Sequence, residues 1–477
     1  METRLISNLQ SPSLLPELMQ LSTKTKFIYG LGDWGTAAAA AARNAFWFVF
    51  LTNVVGLNAG VAGTVVLVGK LWDGINDPLV GMLSDRIQTR WGRRRPFLLF
   101  GAVPFGLSFF LLFYIPPLSS TGLAVYYALA FLLSDTIFTI VNVPYVALTP
   151  ELSEDYDERS SLAGWRMSIS ILASLVTVGS FKLLAENVIG VWFGGGPAGI
   201  RLGYMVVAAV WGATMVVPLL LLFRHITEPE RPRDHDPIRP LQTMREVFQN
   251  RPFRIGAIIY LFSFTAADII LVVFVRFLID YIRVAPGIDS LVLAIVLGVA
   301  FMTMPLVVRL TREYGKRRTY MGSMIFLSTV MVVMSQVPPG GQKWVLIAAV
   351  FAGLGYGAAN VIPWAIVADV TESDELHSGK RREGIYAGYL VFMRKLASAV
   401  AIFIVGQVLS ATGFISSTTG SQFIEQPPAA LLALRIFIGY VPAVLLLLAV
   451  WAASRYPLSR ERHAAIRQQL AAQRRNR

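Results

Sequence analysis

The 477-residue chain contains no cysteine, which excludes disulfides, thiolate catalysis and cysteine-ligated metal centres. Histidine is nearly absent too: His225, His235, His377 and His463 are scattered through polar stretches rather than gathered as metal ligands. Charge is scarce, at 15% of residues against 55% hydrophobic, and the mean hydropathy is +0.58. That balance excludes a soluble globular domain and leaves a polytopic membrane protein. Acidic residues are the scarcer sign, 29 against 42 basic, for a net charge of +13. The basic residues collect in short loops between apolar runs and no nucleic-acid module is present, so nucleic acid is not an expected partner. No P-loop, Gly-x-Ser-x-Gly motif or histidine cluster occurs, and no polar stretch is long enough for a soluble catalytic domain, so enzyme activity is not expected. The first residues lack the charged, apolar and small-residue sequence of a removable signal peptide, and none is expected.

What the chain does have is apolar runs. A bilayer span takes about 20 apolar residues, and runs of that kind lie near 27–53, 60–84, 96–116, 122–150, 163–185, 202–224, 254–281, 290–311, 318–337, 343–370, 384–411 and 430–454. The expected fold is therefore all-α, with twelve membrane-spanning helices in two six-helix halves, 27–224 and 253–454. A polar, Pro-rich linker at 225–252 joins the halves, with a short segment at 1–26 before them and a basic tail at 455–477 after them. Lys24, Lys26, the Arg86–Arg95 cluster, the linker, Arg309–Arg318, Lys380–Arg382 and the tail all fall on one side. The positive-inside rule then puts both termini in the cytoplasm of a cell-membrane protein.

The halves echo one another. Pro78-Leu79-Val80 with Gly92-Arg93-Arg94-Arg95 corresponds to Pro305-Leu306-Val307 with Gly315-Lys316-Arg317-Arg318, and Asn142-Val143-Pro144-Tyr145 to Asn360-Val361-Ile362-Pro363-Trp364. Duplicated six-helix halves are the plan of a major-facilitator transporter, with the substrate cavity between them. One stretch is not duplicated. Asp73, Asn76 and Asp77 fall at i, i+3 and i+4 on one helix face, whereas their second-half counterparts are Ala300, Thr303 and Met304. Two carboxylates inside an apolar helix cost about 2.5 to 3.5 kcal/mol each on insertion scales, so a bound cation is expected to compensate them. The alternative is that the two carboxylates pair with Lys70, three residues before Asp73, or with another cation within the bundle; Lys70 is also a candidate partner when the ion leaves.

Gly81-x-x-x-Asp85-Arg86 with Gly92-Arg93-Arg94-Arg95 resembles the cytoplasmic loop signature of major-facilitator proteins. Asp85, Arg93 and Arg94 are candidate gate residues, beside the simpler reading of positive-inside anchors. The acidic run from Glu151 to Arg159 is a solvated loop or a gate partner, with Arg159 as its basic member. Asp33, Arg43, Asp135 and Asp268 also fall within expected spans. Asp135 shares a helix face with Asn142, while Asp33 with Arg43 and Asp268 with Arg276 are candidate structural pairs. Trp34, Trp72, Tyr145 and Trp364 are either packing residues or platforms for a sugar ring.

Several motifs together resemble the glycoside-pentoside-hexuronide:cation symporter family, the group of the bacterial melibiose carrier. They are Lys26-x-x-Tyr29-Gly30-x-Gly32, Trp72-Asp73-x-x-Asn76-Asp77-Pro78, the Gly-Arg-x-x-Pro ending at Pro96, Asn142-x-Pro144-Tyr145, Glu158-Arg159 before Arg166, Ala368-Asp369 and Tyr456-Pro457-Leu458. The resemblance implies solute uptake driven by a monovalent cation, with Na⁺ favoured over H⁺ and Li⁺, and no resident cofactor. It also implies Asp73, Asn76, Asp77 and Thr139 as cation ligands, and Arg166 and Lys395 as residues of substrate binding or coupling. Asn142, Tyr145, Lys70 and Trp364 complete that candidate set. The family's two sugar-binding aspartates fall on Ala37 and Asn142, and its stacking tryptophan on Val146, so a galactoside is not expected. A sugar, glycoside or similar small solute is the first expectation and a lysophospholipid the alternative, with a non-transporting sensor more remote. The partners expected are the solute, the cation and membrane lipid, and a monomer is expected to suffice.

Overall fold

The computed structural model describes residues 21–87, 89–153, 156–227, 247–378, 383–418 and 423–457, with 466 and 469 in the tail. Within them the chain forms twelve long helical segments: α1 (23–53), α2 (Ala59–Arg86), α3 (Arg95–Phe113), α4 (Ser120–Leu152), α5 (156–192), α6 (Gly196–His225), α7 (Arg251–Ile282), α8 (288–314), α9 (Lys316–Ser335), α10 (Gln342–Ser378), α11 (Glu383–Ala411) and α12 (Pro428–Ser454). Eight are long and apolar enough to cross a membrane, and bent α8 makes a ninth. Of the other three, α1 is interrupted, α2 carries Lys70, Asp73 and Asp77, and α9 opens on Lys316-Arg317-Arg318. Most of the expected linker and tail, and residues 1–20, lie outside the described residues.

Local sequence accounts for the ends and bends. Asn58 caps α2 by accepting from the Gly60 N–H at 2.8 Å, and Ser119 caps α4 through the Gly122 N–H. α8 bends by 45° at Thr303, because Pro305 has no N–H to give and its ring crowds the preceding turn. Its first-half counterpart Pro78 lies inside an unbroken helix. Wide π-helical turns interrupt α1 at Arg43–Trp47, α5 at Leu184–Ile189, α7 at Phe277–Ile282 and α12 at Ile436–Tyr440. Each lies towards the end of the bundle remote from the termini.

Within the first half α3 packs on α6 and α4, and α5 on α1; within the second, α7 packs on α12 and α11, and α8 on α10. The halves meet along three seams, α2 with α11, α5 with α8, and α1 with α7. Exchanging the halves turns the first seam into the second and the third into itself, as two-fold pseudo-symmetry requires.

The seams are tight on the far side, away from the termini, and loosen towards the terminal side. A Cβ on Gly63 of α2 would meet the Gly406 backbone of α11 at 3.2 Å, and one on Gly74 would meet only the Phe392 ring at 3.1 Å. One on Gly81 would meet nothing from the other half, and one on Gly388 nothing at all within 4 Å. Along α5 the same gradient runs from Gly179, 3.7 Å from Ala294, to the open Gly164. Small residues are what allow two membrane helices to approach backbone to backbone.

Ions bind the far side. Lys182 of α5 gives its ammonium to Asp289 of α8 at 2.6 Å and to Glu186 at 3.4 Å, all at 4% exposure or less. Tyr204 donates to Glu186 at 2.7 Å. Arg276 of α7 pairs with Asp280 at 3.0 Å, reaches Thr52 of α1 at 3.3 Å and lies over the Phe414 ring. The expected Asp268–Arg276 pair is thus replaced: Asp280, four residues on along the same helix, is Arg276's partner, and Asp268 faces Arg394 of α11 at 3.6 Å. Likewise Arg43 pairs with Asp135 at 2.9 Å, not with Asp33, whose carboxylate accepts from Thr36 at 2.6 Å.

Candidate cation and substrate site

The turn from Asp73 to Asp77 lies at the middle of α2, where the two halves are still in contact. Its helical spacing places Asp73 (8% exposed) and Asn76 (3%) against the bundle, with Asp77 half-buried beside them. α4 runs alongside in the same direction. Thr139 Oγ1 donates to Asp77 Oδ1 at 3.0 Å, and Asn76 Nδ2 donates to the Asp135 carbonyl at 3.4 Å. Asp73, Asn76, Asp77 and Thr139, expected together as cation ligands, are therefore neighbours. They are oxygen-bearing groups, the ligand type that hard cations take.

A positive charge already sits between the two carboxylates. Lys395 Nζ, from α11 of the opposite half, lies 2.7 Å from Asp73 Oδ1 and 2.5 Å from Asp77 Oδ2. The ammonium carries the same single charge as an alkali ion and here takes the carboxylate oxygens such an ion would use. Of the two internal partners expected, Lys70 or another cation within the bundle, the structure shows the second, and the Lys70 arm needs correction: Lys70 Nζ donates instead to Ser398 Oγ of α11 at 2.5 Å. Next to it a small cavity of about 20 Å³, lined by Arg43, Lys70, Phe131 and Asp268, crosses from one half to the other. It has room for about one water molecule.

The substrate candidates are spread more widely. Arg166 on α5 is half-buried, within electrostatic reach of Asp33 and hydrogen-bond reach of Tyr29 on α1. Asn142 is half-buried on α4, one turn beyond Thr139. Trp364 of α10 is 38% exposed and stands edge-on to Tyr260, ring centres 4.9 Å apart, leaving a face free for contact. Tyr145 is different: it is fully buried, stacks on Tyr29 and donates to the Tyr29 carbonyl at 2.7 Å. Its place is in the packing of α4 against α1, not on the cavity wall.

Of the gate candidates, Arg93 and Arg94 both reach Glu151 Oε1, at 3.2 and 3.3 Å, and Arg94 also donates to Ser84 at 2.5 Å. In this conformation they tie the α2–α3 loop to the end of α4 within one half. The side chains of Asp85 and Arg159 lie outside the described residues. Sequence reasoning missed Arg394, whose guanidinium lies 4.1 Å from the Phe264 ring centre, and the Lys182–Glu186–Asp289 cluster. Ionisable residues inside apolar spans were the available signal for Arg394 and Lys182, whereas Glu186 and Asp289 fall one residue beyond the expected spans.

Comparison with known proteins gives the family and the fold. A family model described as MFS/sugar transport protein matches residues 28–460. An uncharacterized symporter of Synechocystis sp. is 31% identical, over 98% of this chain and 99% of its own length. The sodium-dependent lysophosphatidylcholine symporter 1 of Gallus gallus is 28% identical, over 93% of this chain and 88% of its own. Among solved structures, a D-xylose-proton symporter superposes with a TM-score of 0.64 at 16% identity, covering 90% of this chain and 96% of its own, a likeness of fold alone.

Proposed function

Because the chain belongs to the MFS/sugar transport protein family, we propose that it is a secondary active symporter that carries a sugar, glycoside or similar polar solute into the cell with one monovalent cation, Na⁺ favoured over H⁺ and Li⁺. The observation that carries this reading is the clamp of Asp73 and Asp77 on Lys395. A cation that takes the two carboxylates must displace the ammonium, and with it the tie of α11 to α2. Ion binding is thereby linked to the conformation of the bundle, which is the requirement for coupling. By the positive-inside distribution of basic residues the terminal side faces the cytoplasm, so the far-side closure belongs to an inward-facing carrier.

The empty carrier keeps its carboxylates neutralised by Lys395 and returns. The carrier loaded with cation alone has the Lys395 ammonium displaced from Asp73 and Asp77 and crosses badly until solute completes it. Arg166, Asn142, Trp364 and Arg394 are the groups we assign to solute contact. Hydroxyls and a ring face suit the polar and aromatic members, and the guanidinia act as donors. One elementary charge moved through 100 mV supplies about 2.3 kcal/mol, enough for about fifty-fold accumulation. The pathway lies within a single chain, so a monomer suffices.

The Gallus gallus relative favours a second reading, in which the solute is a lysophospholipid and the same cation site drives it. The test is flux into proteoliposomes with panels of sugars and lysolipids under imposed Na⁺, Li⁺ or proton gradients. Asp73→Ala and Asp77→Ala are each expected to abolish cation-stimulated uptake of whichever solute is carried. Undiminished, still cation-dependent uptake in both variants would refute the assignment.

A further inference from the structure

Asp135 is a buried carboxylate that the cation site as described does not use. It is 0% exposed on α4, one turn before Thr139. Its Oδ1 accepts from Arg43 at 2.9 Å, while its Oδ2 is buried and meets no hydrogen-bond donor among the described residues. A buried carboxylate oxygen without a donor is costly and calls for a function. Its position is fixed by the register of α2 against α4. Trp72 Nε1 donates to Thr136 Oγ1 at 2.8 Å, Asn76 reaches the Asp135 carbonyl at 3.4 Å, and Thr139 donates to Asp77 at 3.0 Å. Asp135 therefore stands level with Asp73, about 6 Å along the helix from the Thr139 level. Asp73 and Lys395 both act on it electrostatically.

A cation arriving at Asp73 and Asp77 must expel Lys395 Nζ from between them, and in this setting an expelled ammonium needs another acceptor. Lys70 is a donor, held by Ser398, and Asp268 is engaged by Arg394. Asp135 Oδ2 is unengaged among the described residues, and its carboxylate is within electrostatic reach of Lys395. We propose that Asp135 is the second acceptor of the Lys395 ammonium, which moves from Asp73 and Asp77 to Asp135 when the cation binds and returns when it leaves. The proposal rests on the cation-symport reading and adds a positioning residue to it.

Lys395 keeps a partner in the first half throughout the cycle, so loading the ion changes which helix the second half holds, α2 or α4.

The plain alternative is that Asp135 only neutralises Arg43. Equilibrium binding of radiolabelled Na⁺ to the purified full-length protein, with Li⁺ as competitor, separates the two without knowledge of the solute. If Asp135 receives Lys395, Asp135→Asn weakens Na⁺ binding by about tenfold or more, the effect of losing a charge-assisted hydrogen bond. Arg43→Gln alone does not weaken it, and Arg43→Gln/Asp135→Asn remains as weak as Asp135→Asn. Asp135→Glu restores binding, which guards against a folding defect. Wild-type affinity in the double variant would overturn the proposal while leaving the symport reading intact. A wild type that binds neither Na⁺ nor Li⁺ would overturn the alkali-ion reading and this proposal together.

Discussion

Replacing Lys182 by methionine should open the far side of the bundle. Its ammonium is shared between Asp289 at 2.6 Å and Glu186 at 3.4 Å, and Lys182 and Asp289 are both about 1% exposed. Methionine keeps much of the volume and leaves two buried carboxylates without their counter-charge, a loss of about 3–5 kcal/mol. The closed far side would lose that amount, because parting α5 from α8 lets water reach Asp289. The ratio of closed to open carrier should fall by about 10²- to 10³-fold or more. Asp289→Asn should be milder, about tenfold, because Lys182 keeps Glu186 and an amide can still accept a hydrogen bond. The absence of native cysteine makes the assay direct. Spin labels on cysteines at Asn58 and Ser410, whose side chains touch across the α2–α11 seam at 2.9 Å, report the far-side distance in proteoliposomes. A broad, lengthened distribution in the Lys182→Met variant, intermediate in Asp289→Asn, is the expected result. An unchanged distribution in Lys182→Met would refute the reasoning that this cluster holds the far side shut.

Lys395→Gln should remove the internal competitor for the cation, so Na⁺ binding becomes tighter, while net uptake falls because the empty carrier now returns with two uncompensated carboxylates; counterflow against net uptake distinguishes the two effects. Arg276→Met should cost about 3–5 kcal/mol of stability by stranding the fully buried Asp280, seen as a lower unfolding temperature in detergent, and Arg276→Met/Asp280→Asn should recover part of it. Gly406→Val should favour the open far side, since even a Cβ there would lie 2.6 Å from the Ala59 carbonyl oxygen; the same spin-label pair reads the shift.

The positions of the helices were legible because apolar runs of the right length have few other uses, and expected and observed segments agree apart from their ends. The spacing of Asp73, Asn76 and Asp77 also translated directly, since one helix turn fixes which side chains share a face. What could not be read was pairing across the bundle. Lys395 and Asp73 are 322 residues apart, and nothing local distinguishes that partnership from Lys70 with Asp73 at a separation of three. Arg43 and Arg276 were paired in expectation with the wrong acids for the same reason: the rotation of each helix decides which acid a guanidinium meets. The π-turns compound this. Each alters the phase of the helix beyond it, and Arg43 lies in one. Tyr145 shows the converse limit, since a motif identifies a residue without saying whether its ring faces a cavity or a neighbouring helix.

The two symmetry-related seams, alike in topology, should differ in kinetics. On the far side, where α2 crosses α11, the contact is glycine backbone on glycine backbone, Gly63 against Gly406, flanked by the neutral hydrogen bond of Ser410 to Asn58, so parting at that level breaks no ion pair. Where α5 crosses α8 the contact is an ion cluster whose rupture must be compensated by water. The activation barrier of the conformational change, and hence the turnover rate, is therefore concentrated at one seam. The other parts with little resistance and follows the first.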